Sequence, residues 1–159
     1  MKFREMRRAN QAVSKAECIE LLKTENRGVL STVGDGGYPY GVPINFVYDE
    51  TDGKIYFHGA KEGHKLDAIK ACDKVCFTVW GNEYKKDGDW AWYVTSVIAA
   101  GRAELVSDEK TACEKLRLLG RKYFPSEPEL EAAMERSAAR AQVIAMNIEH
   151  LTGKLVHEK

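Results

Sequence analysis

The chain lacks any excess of charge of one sign: 24 Lys and Arg stand against 24 Asp and Glu. No global positive field is available to hold nucleic acid or an anionic membrane surface, so neither is expected as a partner. There is no apolar run near the ~20 residues of a membrane span, and none of signal-peptide length follows the basic FREMRR start. A cytoplasmic location is the expectation. Cysteine is sparse: Cys18, Cys72, Cys76 and Cys113 make no CxxC pair and have no histidine at zinc-ligand spacing. No metal site is expected, and the thiols read as free. Internal repeats and low-complexity tracts are missing as well.

What is present fits one globular unit. The 159 residues are 44% apolar and 30% charged, enough to build a sizeable core and too apolar for a disordered segment. A single domain over residues 1–159 is expected.

Ser14 and Glu17 stand at capping-box spacing, and Cys18, Ile19, Leu21 and Leu22 follow largely on one face, which predicts a helix from Ser14 to about Glu25. GVLSTVG and YGVPINFVYD flank Asp35-Gly36-Gly37, a group that tolerates positive φ, and so predict a hairpin. KIYFHG after the DETDG turn predicts a third strand of a meander. EGHKLDAIKAC reads as a short helix, KVCFTVWG as a strand, NEYKKDGD as a loop, and WAWYVTSVIAAGRAELV as a long strand able to bend. Helices are predicted from Ser107-Asp108-Glu109 to the stop at Pro125, and from Ser126 to about Arg140. QVIAMNIEHLTGK alternates Val143, Ala145, Asn147 and Glu149 against Ile144, Met146 and Ile148, a final strand. Six or so strands with hairpin-like early connections predict a mainly β, α+β architecture: an antiparallel barrel with peripheral helices.

The segment with most chemistry is FHGAKEGHKLDAI, Phe57 to Ile69. Gly59 and Gly63 would let backbone approach a ligand, a helix start would offer unpaired amides, and Lys65 adds a full positive charge. That set suits a phosphate, with His64 as a further donor; a plain polar turn accounts for the same residues. It is not a nucleotide P-loop: the glycine spacing is one short, His64 separates Gly63 from Lys65, and Leu66 stands where a magnesium-binding hydroxyl is needed.

Read with its neighbours, GVLSTVGDGGYPYGVPINFVYDETDGKIYFHGAKEGHKLDAIKACDKVCFTVWG resembles the flavin-binding split barrel of the pyridoxamine-phosphate-oxidase-like superfamily. MRR near the start, SVIAAGRAELV and HLTGK extend the resemblance over nearly the whole chain, toward the nitroimidazole-resistance branch. The resemblance implies an antiparallel split β-barrel that forms a homodimer with FMN in a groove between subunits. It implies cofactor contacts from Pro43, Ile44, Asn45 and Phe46 and from the His58 to Lys65 segment. His64-Lys65 stands where the oxidases carry a phosphate-binding Arg-Lys pair. VPINFVYD lacks the arginine and lysine of the matching oxidase strand, which argues against pyridoxamine-phosphate oxidation.

Within that frame His58 is the candidate for proton transfer or substrate contact, since imidazole titrates near neutral pH; a structural hydrogen bond is the alternative. Thr32 or Ser31 could offer a hydroxyl to the flavin ring, but strand alternation turns only one inward. Trp80, Trp90, Trp92, Tyr84 and Tyr93 could stack on a planar ligand or pack between subunits. Lys154 in HLTGK could approach an anion or be a solvated lysine. The expected function is an FMN-dependent oxidoreductase acting on a small aromatic or nitro compound. The alternative is a carrier or sensor that binds flavin or haem without turnover.

Overall fold

The computed structural model describes residues 2–157. Helix α1 (Lys15–Thr24) begins as its capping box predicts: the Ser14 side chain accepts from the Glu17 amide and the Glu17 carboxylate accepts from the Ser14 amide. A cap of this kind contributes about 1 kcal/mol. β1 (Arg27–Val33) and β2 (Pro39–Asn45) then form the expected hairpin, in register from Arg27 opposite Asn45 to Val33 opposite Pro39.

The predicted second strand is in fact two. β2 ends at Asn45, and β3 (Val47–Asp49) starts after the single residue Phe46 and pairs with β4 (Lys54–Ala60) instead. Next come α2 (His64–Ala71), β5 (Lys74–Lys85), β6 (Trp92–Leu105), α3 (Glu109–Tyr123), α4 (Glu127–Ser137) and β7 (Ala141–Val156). The seven strands make one antiparallel sheet in the order β2-β1-β5-β6-β7-β4-β3. Since one residue separates β2 from β3, the two ends of that order are the same stretch of chain. The sheet therefore curls round and closes on itself, leaving β2 and β4 without a shared ladder: a split barrel.

At the change of partner Phe46 belongs to neither ladder, and a buried amide and carbonyl left bare would be costly. The Tyr123 hydroxyl at the end of α3 meets both, accepting from the Phe46 N–H at 2.9 Å and lying 2.8 Å from the Phe46 carbonyl. It also reaches the Asn26 carbonyl, and its single hydrogen serves one of the two carbonyls at a time. The Phe46 ring is fully buried in the barrel, where Phe46, Phe57 and Phe77 meet edge to face with centroids 4.7 and 4.9 Å apart. Leu21 and Leu22 of α1 and Leu66 and Ile69 of α2 complete this core.

A second apolar layer lies outside the barrel, where Leu116 and Leu119 of α3 cover Val47, Tyr56, Val143 and Ala145. This corrects the simple alternation expected of β7: residues Val143 to Met146 are buried on both faces because a helix covers the outer one. The stretch read as a loop after Gly81 also differs. Tyr84 and Lys85 continue β5 opposite Tyr93 and Trp92 after a register shift, held by the ladder and by Tyr84–Tyr93 stacking at 4.9 Å. A further shift between Ala100 and Gly101 bends β6 against β7. A side chain at Gly101 would put its Cβ 1.9 Å from the Asn147 carbonyl oxygen, so the bulge needs glycine.

Candidate functional site

The corner where β4 passes into α2 brings the predicted phosphate residues together. Gly63 precedes α2 with φ of +128° and ψ of 164°, a conformation that side chains rarely adopt. No side chain caps α2, whereas α1, α3 and α4 are capped by Ser14, Asp108 and Ser126. The Leu66 and Asp67 amides turn back to the Gly63 carbonyl. The His64 and Lys65 amides, at the first two helical positions, stand among the donors that a helix start leaves without an intrahelical partner. Their partial positive charge adds to that of the side chains.

Lys65 is half-buried and has no acidic partner among the described residues. Desolvation pushes its ammonium below the ordinary lysine value, so a bound anion would relieve an existing cost. Gly59 has a different part from the open backbone approach expected of it. A Cβ there would fall 2.9 Å from the Lys65 Nζ, so the missing side chain is the space the ammonium occupies. His64 stacks on Tyr40 of β2 with centroids 4.1 Å apart, and its Nε2 lies 3.8 Å from Asp35. The Asp35 side chain is 97% exposed and can turn away into water when an anion arrives. Tyr40 and Asp35 were missed in the sequence because they reach this corner from the β1–β2 hairpin.

His58 is one residue before Gly59 and, by strand alternation, on the opposite face of β4, beside Tyr56 and toward α3 and α4. The residue is exposed at the strand surface, but partial desolvation of the ring first and the Lys65 charge second hold its imidazole below the usual histidine value. No hydrogen bond engages its ring among the described residues. The structural hydrogen bond considered for it is therefore not present.

The other predicted contacts divide by face and end. Thr32 turns inward and is buried, its hydroxyl donating to the Tyr40 carbonyl at 3.4 Å; Ser31 takes the outer face. Ile44, partly buried, packs against the barrel core, and the Phe46 side chain lies fully inside it. Pro43 and Asn45 instead line an open cleft of about 630 Å³ with Arg27, Val29, Trp80 and Tyr123, where the Arg27 guanidinium donates to Asn45 at 3.0 Å. Lys154 pairs with Ser96, which pairs with Trp80, so it belongs to the end of the sheet bearing that cleft and not to the Lys65 corner. Tyr40 and Asn45 are five residues apart along β2, about 17 Å at 3.3–3.4 Å per residue. Among the described residues no three His, Cys, Asp or Glu side chains could share a metal ion, and no helix is long and apolar enough to cross a membrane.

Barrel and corner define the class: a split-barrel protein with a cationic, uncapped helix start beside its seam. The chain belongs to the pyridoxamine 5'-phosphate oxidase family, whose model matches residues 14–155. No curated protein matches it in sequence. In fold it is similar to a candidate 5-nitroimidazole antibiotic resistance protein from Bacteroides thetaiotaomicron, at 20% identity over 92% of this chain and 87% of that one, with a TM-score of 0.77. It is similar also to the flavocytochrome Anf3 from Azotobacter vinelandii, at 23% identity over 96% and 72% of the two chains and a TM-score of 0.78. A third is an FAD binding protein from Mycobacterium smegmatis, at 22% identity over 93% and 99%, with a TM-score of 0.65.

Proposed function

We propose that this protein binds a flavin, FMN, with the phosphate at the β4–α2 corner, and uses it to reduce a small aromatic or nitro compound. The observation that carries the reading is the half-buried Lys65 ammonium, with no acidic partner among the described residues, beside the uncapped start of α2. The residues fit the group: Lys65 and the first α2 amides meet the phosphate, and His64 adds a donor. The ~17 Å of β2 from Tyr40 to Asn45 gives length for a ribityl chain and a tricyclic ring, with Pro43 and Asn45 near the ring. Family membership supports a flavin, as do the relatives described as FAD binding or as a flavocytochrome. A bound flavin supplies hydride or electron transfer, so the protein's own work is to hold and orient it.

The face of the sheet that no helix covers presents Val33, Trp80 and Ile98, each more than 40% exposed. We assign this face to a second copy of the chain, with the flavin between the two and Lys154 reaching the partner's cofactor. Purified protein supplied with FMN is expected to turn yellow and to quench flavin fluorescence at about one FMN per chain, and Lys65→Met to raise the Kd about tenfold or more. Absence of quenching removes the reading. Binding of flavin without turnover is the competing function, favoured by His58 having no acid or hydroxyl partner among the described residues and facing away from the phosphate corner. Stopped-flow reduction by a nicotinamide donor, followed by reoxidation with a nitroaromatic, separates the two.

A further inference from the structure

The flavin reading uses one face of β4, while His58 looks the other way. Its ring stands at the rim of a cleft of about 120 Å³ between β4 and the α3–α4 pair, lined by Leu116, Leu119, Phe124, Leu130 and Met134. Leu119 and Leu130 are buried, Phe124 is 40% exposed at the mouth, and the lining's one hydroxyl, on Ser137, is spent on the Ala133 carbonyl at 2.7 Å. His58 is thus the sole uncommitted polar side chain on an otherwise apolar wall. A wider groove of about 550 Å³, which shares Leu116 and Met134 with the cleft as lining, reaches Lys61 and Gln142.

We propose that this cleft binds a small aromatic molecule carrying one hydrogen-bonding group, with the ring among Leu119, Leu130 and Met134 and the polar group on the His58 imidazole. The size is right for a single ring: an apolar cavity of roughly 150 Å³ in another protein takes up benzene. The Met134 thioether adapts its shape to a planar guest at little cost. A neutral imidazole offers one donor and one acceptor nitrogen, so it meets a hydroxyl, a carbonyl or a ring nitrogen equally well. The wider groove leaves room for a substituent. The site lies on the face of β4 turned away from the phosphate corner, and filling it does not need flavin.

Phenol and toluene serve as probes of equal shape. With the full chain labelled at its methionine methyls, phenol is expected to shift the Met134 methyl, assigned by its loss in Met134→Leu, and the His58 Cε1 proton saturably. Toluene is expected to bind about threefold to tenfold more weakly, the worth of one neutral hydrogen bond. His58→Phe should abolish that preference while keeping toluene binding, and Ala133→Phe should block both probes with the melting temperature within a few degrees of the parent. No saturable shift at Met134, or a preference for phenol that survives His58→Phe, overturns the inference. Run with and without FMN, the titration separates the two ideas. Phenol binding in a chain that never takes up FMN removes only the flavin reading, and FMN uptake with no phenol shift removes only this one.

Discussion

Removing one oxygen atom should open the seam of the barrel. In Tyr123→Phe the ring stays, so no cavity forms, but the hydroxyl that accepts from the Phe46 N–H and faces the Phe46 carbonyl is gone. Phe46 is fully buried, and no strand neighbour stands opposite its backbone on either side. Leaving a buried backbone donor and acceptor unmet costs about 1–3 kcal/mol apiece. Because the carbonyl keeps a second lone-pair direction, a total of about 2–4 kcal/mol is expected. For a chain of this length that is a fall in Tm of roughly 4–16 °C. Urea unfolding followed by tryptophan fluorescence at pH 7 measures it, with the m-value unchanged since the exposed surface is the same. Exchange of the Phe46 amide should accelerate in parallel. A loss below about 0.5 kcal/mol would refute the argument, because water would then be shown to serve Phe46 as well as the hydroxyl does.

Gly59→Ala puts a methyl 2.9 Å from the Lys65 Nζ and displaces a flexible side chain, so stability should change by less than about 1 kcal/mol while FMN affinity, read by fluorescence quenching, falls several-fold. Lys122 lies 4.0 Å above the Phe46 ring, and burial outweighs the nearby Glu25 carboxylate to bring its pKa down to about 8. The unfolded chain binds the extra proton between pH 8 and 10.5, so this group makes unfolding free energy rise with pH across that window, on the order of 2–3 kcal/mol. A Lys122→Met variant should lack the rise, and parallel profiles for the two proteins would count against the assignment. Lys115→Met strips the ammonium that sits 2.6 Å from buried Asp49 and 2.9 Å from Asp52, and should cost roughly 3 kcal/mol at pH 7. Burial raises the Asp49 carboxyl, but hydrogen bonds from Lys115 and Thr51 outweigh it and hold the group below its ordinary value. The deficit of the variant should therefore shrink as acid protonates the parent's carboxylates, and urea unfolding at pH 7 and pH 3 tests this.

Signals carried by residues close in sequence were legible in advance. Ser14 with Glu17, Asp35-Gly36-Gly37 and Ser126 with Glu129 each complete a cap or turn within four residues, and each element formed where it was expected. The break at Phe46 was not legible, because YGVPINFVYD reads as one strand and the group that permits the break, Tyr123, is 77 positions away. Double burial of Val143 to Met146 was hidden likewise, since it depends on how α3 lies over β7. The candidate site divides in the same manner. Gly59, His64 and Lys65 lie within one seven-residue stretch and could be grouped from the sequence, whereas Tyr40 and Asp35 arrive through hairpin geometry and the face taken by Thr32 follows from register.

His58 and Lys65 are on opposite sides of β4 and still sense one another: the lysine charge is one of the two influences holding the imidazole below its usual value. Linkage makes that coupling a measurement of whatever binds at the corner. A phosphate seated on Lys65 cancels the charge that disfavours the imidazolium, so the His58 titration midpoint should move upward when FMN saturates the protein, and upward again with inorganic phosphate alone at high concentration. By reciprocity FMN should bind more tightly as pH falls through the His58 midpoint. Lys65→Met should raise the midpoint before any ligand is added and leave nothing further for FMN to change through this route. NMR titration of the His58 Cε1 proton reads all three cases. A midpoint that stays fixed on saturation with FMN would mean that the phosphate binds elsewhere, whatever the flavin ring does.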